Sequence, residues 1–120
     1  MNVLLVESNT ELASVWARHL ERQVAIAKGV HNQDAAISEL QERDFDILVL
    51  DIVLNEGSAL AVSDFASYRC PNARVIFVTN KTFFSDGSIF AHSSNACAYV
   101  KPETPPEDLA AIVEHYAAVR

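Results

Sequence analysis

Two runs, "ILVL" at 47–50 and "VIFV" at 75–78, are apolar at consecutive positions rather than at alternate ones. Side chains along a strand point to opposite faces in turn, so a strand of this kind must bury both faces. That is the position of a central strand in a parallel sheet covered by helices above and below. The spacing predicts strands at 2–6, 24–27, 45–50, 74–79 and 97–100, separated by stretches with a 3.6-residue period. Leu12, Val15, Trp16 and Leu20 share one helical face, and Leu109, Ile112, Val113 and Tyr116 another. Narrower stripes are Ala36, Ile37 and Leu40 within 33–41, and Leu60, Val62 and Phe65 within 59–68. Five βα units joined by right-handed crossovers predict an α/β fold, a doubly wound five-stranded parallel sheet with strand order 2-1-3-4-5. Ligands of such sheets sit at the carboxyl ends of the strands.

The 120 residues suit one core, and prolines 71, 102, 105 and 106 fall only at element edges, so residues 1–120 are expected to form a single domain. Sixteen acidic residues against nine basic ones give a net charge of −7, with no basic cluster to meet a phosphate backbone; direct nucleic-acid binding is not expected. The longest apolar runs are strand length, far below the roughly 20 residues of a membrane span. Met1 leads straight into a strand, so a cytoplasmic chain without membrane contact is expected. Cys70 and Cys97 lack the spacing of a zinc or redox pair and read as small core residues. His19, His31, His92 and His115 are scattered without ligand spacing.

Polar residues stand where the strands end: Glu7, Asp51, Thr79 and Lys101. Each alone has an ordinary explanation as a solvated terminus, a cap or a surface charge. Under the expected strand order the first, third and fourth strands are neighbours, which brings Glu7, Asp51 and Thr79 to one crevice. Phosphoryl transfer onto a carboxylate fits this set, because the incoming group carries charge on three oxygens that fixed donors and cations must meet. Asp51 would be the nucleophile, a hard divalent cation on oxygen ligands would neutralise repulsion, Lys101 would add a second cation and Thr79 a hydroxyl donor.

At "VLLVES", "FDILVLDIVLNEGSAL", "VIFVTN" and "AYVKP" the chain resembles the receiver domain of bacterial two-component response regulators, over its full length. The resemblance implies a flavodoxin-like three-layer fold and Asp51 as acceptor of a phosphoryl group from a histidine kinase or phosphotransfer protein. It also implies Thr79 and Lys101 as phosphate ligands and Mg2+ as cofactor. Metal ligands would be Glu7, Asp51 and the Val53 carbonyl. Lys101-Pro102 resembles the family's Lys-Pro step, where a cis peptide is common.

Several positions depart from the family pattern. Its first strand ends in two acids, and here the second is Ser8, a neutral hydroxyl that removes one formal charge from a cation site. "SNTE" reads instead as a capping box, Ser8 bonding the Glu11 amide, with a water-mediated role toward the metal beside it. Asn55 stands where the family places Pro, and Ala59 where it places Gly, leaving Gly57 to carry the turn. Asn80 follows Thr79 in place of a small residue, either to restrict phosphoryl entry or to bond the phosphate. Thr79 and an aromatic three residues before the Lys form the family's switch; Ala98 stands there, and Tyr99, one place on, serves only if the strand is locally contracted. The Ser-, Asn- and Gly87-containing stretch with Phe83 and Phe84 covers the expected fourth helix and has poor helix propensity.

The leading expectation is a stand-alone phosphoacceptor, not an enzyme beyond its own phosphoryl transfer and dephosphorylation. It would signal to a downstream protein, or form a homodimer, through its fourth-helix to fifth-helix face. The alternative is a pseudo-receiver that binds partners without phosphorylation. A phosphatase of the haloacid-dehalogenase type would need a second Asp where Val53 stands, and no P-loop or GxGxxG follows any strand.

Overall fold

The computed structural model describes residues 1–23, 26–79 and 95–118. The elements run β1 (Asn2–Val6), α1 (Thr10–Gln23), β2 (Ile26–Val30), α2 (Gln33–Glu42), β3 (Ile47–Asp51), α3 (Ala59–Arg69), β4 (Arg74–Val78), β5 (Ala96–Val100) and α4 (Pro106–Ala118). The helix expected between 81 and 95, with Asn80, Phe83, Phe84, Gly87 and His92, lies outside the described residues, so the C-terminal helix is α4 here.

The five strands form one sheet in the order β2-β1-β3-β4-β5, and every pair is parallel. Alternation splits the apolar strands between two cores. Leu4, Val6, Leu48, Leu50, Val75 and Phe77 meet Ala36 and Leu40 of α2 and Ala59, Val62 and Ala66 of α3. Val3, Leu5, Ile47, Val49, Ile76 and Val78 meet Ala13, Trp16 and Leu20 of α1 and Leu109, Ala110 and Val113 of α4. Each fully buried Leu, Ile or Phe contributes roughly 1.5–3 kcal/mol, so both faces are worth keeping. With both faces apolar, the central strands need another register stop. It lies in the polar residues at their ends: Asp51 closes β3 opposite Val78, and a one-residue slip inward would set its carboxylate opposite Phe77, within the apolar core.

The sequence reading of the helix faces needs two corrections. Val15 is 42% exposed and Leu60 38% exposed, because the inward stripes are Ala13-Trp16-Ala17-Leu20 and Ala59-Val62-Ser63-Ala66. Small residues carry much of both stripes, and a count of large apolar side chains alone places the face off by a residue. The second strand also lies later than expected, at Ile26–Val30. It is an edge strand, so Lys28 stands exposed within it and breaks the apolar run. Among the described residues no peptide bond is cis, so Lys101-Pro102 is trans. Cys70 is buried and Cys97 half-buried; burial pushes the Cys97 thiol up to about 11, which leaves it protonated and unreactive at neutral pH.

Candidate functional site

Strand phase and backbone bonding assemble the site. Val3, Leu5 and Glu7 alternate on one face of β1, as Ile47, Val49 and Asp51 do on β3, so both carboxylates arrive on the α1 side of adjacent strands. The Glu7 amide donates to the Val30 carbonyl at 3.0 Å, and the Glu7 carbonyl accepts from His31 Nδ1 at 3.0 Å. On the other side, the Ile52 amide donates to the Val78 carbonyl and the Thr79 amide to the Val100 carbonyl, both at 2.9 Å. Each strand end is thus fixed against its neighbour just beyond the ladder. The result is a depression of about 400 Å³ lined by Glu7, Asn9, Leu12, Asp51, Ile52, Val53, Thr79 and Pro102.

Glu7 is 4% exposed and Thr79 7%, whereas Asp51 is half-buried. Asp51 Oδ1 accepts from the Val53 amide at 3.1 Å, which orients the carboxylate. Burial pushes the Glu7 carboxyl up to about 7. The Asn9 amide, donating to Glu7 Oε2 at 3.0 Å, pulls the other way, while a hydrogen bond to Asp51 and its negative charge add to the rise. Near neutral pH Glu7 is therefore partly protonated.

The two carboxyl groups lining one depression are where a hard cation would bind. Two carboxylates facing a water-accessible depression are oxygen donors of the kind Mg2+ takes, one or two per ion with waters completing the shell. Among the described residues no group of three His, Cys, Asp or Glu side chains stands within reach of one ion, so the protein side of such a set is Glu7, Asp51 and backbone oxygen.

The structure brings together Glu7, Asp51, Val53 and Thr79. It does not bring in Lys101, whose side chain is exposed beyond β5 while Pro102 lines the depression. Ser8 does not take the cap expected of it. Asn9 caps α1, its Oδ1 accepting from the Glu11 and Leu12 amides at 3.1 Å, and Ser8 Oγ accepts instead from the Asn55 amide at 2.9 Å. Asn and Ser are near-equal N-caps, so a pattern holding both in succession does not choose between them. Asn9 is the site residue the sequence reading missed, and its signal was that same cap preference.

Tyr99 is placed by an irregularity in β5. Ala96 pairs with Val75 and Ala98 with Ile76, so Cys97 is an extra residue. Cys97 and Ala98 both pack against the α1/α4 core, the phase inverts, and Tyr99 pairs with Phe77 on the α2/α3 side, 38% exposed. The irregularity falls before Tyr99 and brings it no nearer the third place before Lys101; it decides which face the ring takes.

Gly57 carries the turn into α3 with φ +102°, and a Cβ there would lie 2.3 Å from Gln33 Cβ. A roomier cavity of about 540 Å³ opens beside Asp46, Arg74, Asn95, Cys97 and Tyr116, around the amino ends of β4 and β5. It holds no paired carboxylates.

No protein-family model matches the chain, and no curated protein matches it. Solved structures match it in fold. A response regulator from Burkholderia pseudomallei, with a phosphorylated aspartic acid, calcium ion and citrate, is 23% identical at a TM-score of 0.79, covering 98% of this chain and 73% of that one. A CheY-like response regulator receiver domain protein from Methanospirillum hungatei is 17% identical at a TM-score of 0.86, covering 97% and 92%. A response regulator from Thermotoga maritima in complex with Mg2+ and beryllofluoride is 16% identical at 0.79, covering 96% and 97%.

Proposed function

We propose that this chain is a receiver domain that accepts a phosphoryl group on Asp51 from a histidine kinase or phosphotransfer protein and signals through altered protein contacts. The observation that carries the reading is the meeting of Glu7, Asp51 and Thr79 in one depression. The fold shared with response regulators that carry a phosphorylated aspartate or a beryllofluoride group agrees with it.

In the proposed step an Asp51 carboxylate oxygen attacks phosphorus in line with the donor's leaving atom; the new O–P bond forms as the donor's bond to phosphorus breaks, and the donor leaves with that electron pair. Val53 N–H holds Oδ1 and so aims the carboxylate. Thr79 donates its hydroxyl to a phosphoryl oxygen, Asn80 is proposed as a further phosphate ligand, and Lys101 reaches in from the rim to meet the added charge. Glu7 must give up its proton for the site to take a cation. Glu7, Asp51 and the Val53 carbonyl would hold Mg2+, which when bound neutralises the repulsion between carboxylate and phosphoryl group. Ser8 serves this centre through its loop contact rather than as a ligand. Thr79 and the exposed Tyr99 would transmit the change to the face of β5 and α4, where a downstream protein or a second copy would dock. No turnover of an external substrate is proposed.

A second reading, a pseudo-receiver that binds partners without phosphorylation, is favoured by the Lys101 side chain outside the depression and by Ser8 turned to the loop. Intact-mass measurement with acetyl phosphate and Mg2+ separates the two. The receiver reading predicts a gain of one phosphoryl group that Asp51→Asn abolishes; no gain at saturating donor and cation favours the pseudo-receiver.

A further inference from the structure

We infer that Ser8 and Asn55, two departures from the receiver pattern, act as one unit: the Ser8 hydroxyl is a positioning residue that straps the loop after Asp51 to the loop after Glu7. The inference rests on the receiver reading for its effect on phosphorylation, and on geometry alone for the strap.

The loop from Ile52 to Ser58 leaves β3 at Asp51, carries the Val53 carbonyl and ends at the cap of α3. Beyond Ile52 and Val53, whose amides bond Val78 and Asp51, three further hydrogen bonds among the described residues hold it. Gln33 N–H donates to the Glu56 carbonyl at 3.2 Å, and Ser58 N–H donates to Gln33 Oε1 at 2.7 Å, with Gly57 closed against the Gln33 side chain. Those two contacts come from Gln33, the first residue of α2. Only the third, Asn55 N–H to Ser8 Oγ at 2.9 Å, reaches the loop that begins at Glu7. It therefore spans the gap between the segments bearing the two carboxylates.

The bond needs an acceptor at position 8 and a residue other than proline at position 55. A Pro at position 55 has no N–H to donate, so a hydroxyl at position 8 would have nothing to accept there. With Asn at 55 the amide exists and needs a partner, and Ser8 supplies it. The Asn55 side chain is not part of this bond, which makes the backbone N–H, not the residue type, the requirement. The pair fixes the separation of Glu7 from the Val53 carbonyl, the geometry that a cation site with one fewer carboxylate depends on.

The test uses the full chain. Amide hydrogen exchange at Asn55, measured without metal or phosphodonor, should quicken about three- to tenfold in Ser8→Ala and stay near wild type in Ser8→Thr. Phosphorylation by acetyl phosphate at fixed Mg2+ should slow by a similar about three- to tenfold in Ser8→Ala and in Asn55→Pro, and the double variant should be no slower than either single. Asn55→Ala, which keeps the N–H, should match wild type. Unchanged Asn55 exchange in Ser8→Ala overturns the strap. Rates that multiply in the double variant, or a Mg2+ half-saturation shifted by Ser8→Ala and untouched by Asn55→Pro, overturn the positioning role in favour of a cation ligand. A wild-type chain that takes no phosphoryl group overturns the receiver reading and the positioning role with it, while the exchange arm still decides whether the strap exists.

Discussion

Glu7 carries a cost the rest of the molecule offsets. Its carboxyl is held protonated to about pH 7 in the fold and ionises near 4.5 when unfolded, so between those values the folded state binds more protons than the unfolded one. Stability from this group is fully present below about pH 4.5 and is lost as pH rises through 7. Glu7→Gln keeps a neutral side chain of the same shape and should remove that slope. We expect it to raise unfolding free energy by about 2 kcal/mol at pH 8, with no gain at pH 4, measured by urea denaturation without divalent cations. An equal gain at both pH values would mean that burial of Glu7 does not set the slope. Glu7, Asp51 and Thr79 were legible as a site because a carboxylate or hydroxyl closing an apolar strand is chemically conspicuous. The role of Ser8 was not legible, since its partner is a backbone amide 47 residues away.

Elements differ in how far local pattern reaches. The central strands β3 and β4 were legible because burial on both faces leaves a continuous apolar run. Edge strand β2 was displaced in the reading because only one side of it pairs and Lys28 is free to face solvent. The phase change at Cys97 has no local signal at all: it is visible only once β5 is laid against β4. At α1 the cap decides both the helix and the site, because Asn9 accepts from two helix amides with its side chain and gives its own amide to Glu7. Asn9→Ala should cost about 1 kcal/mol of stability, read by urea denaturation through the buried Trp16 of the same helix, whereas Ser8→Ala should leave helix capping intact. Equal loss of helix content in both variants would return the cap to Ser8.

At the scale of the whole molecule, fold and chemistry are separable. Two apolar cores on opposite faces of one parallel sheet fix the strand order, and nothing in them requires a carboxylate at any strand end. The same order then brings the ends of β1, β3 and β4 together, so the crevice follows from topology and its chemistry from the few residues placed there. No helix among the described residues is long and apolar enough to cross a membrane. The central claim is that Asp51 takes the phosphoryl group. Peptide-level mass spectrometry of the chain after acetyl phosphate and Mg2+ tests it directly. The account predicts one added phosphoryl group on the peptide containing Asp51, labile to both strong acid and base and released by hydroxylamine as an acyl phosphate is, and a phosphoryl group on any other residue, or on none, would contradict it.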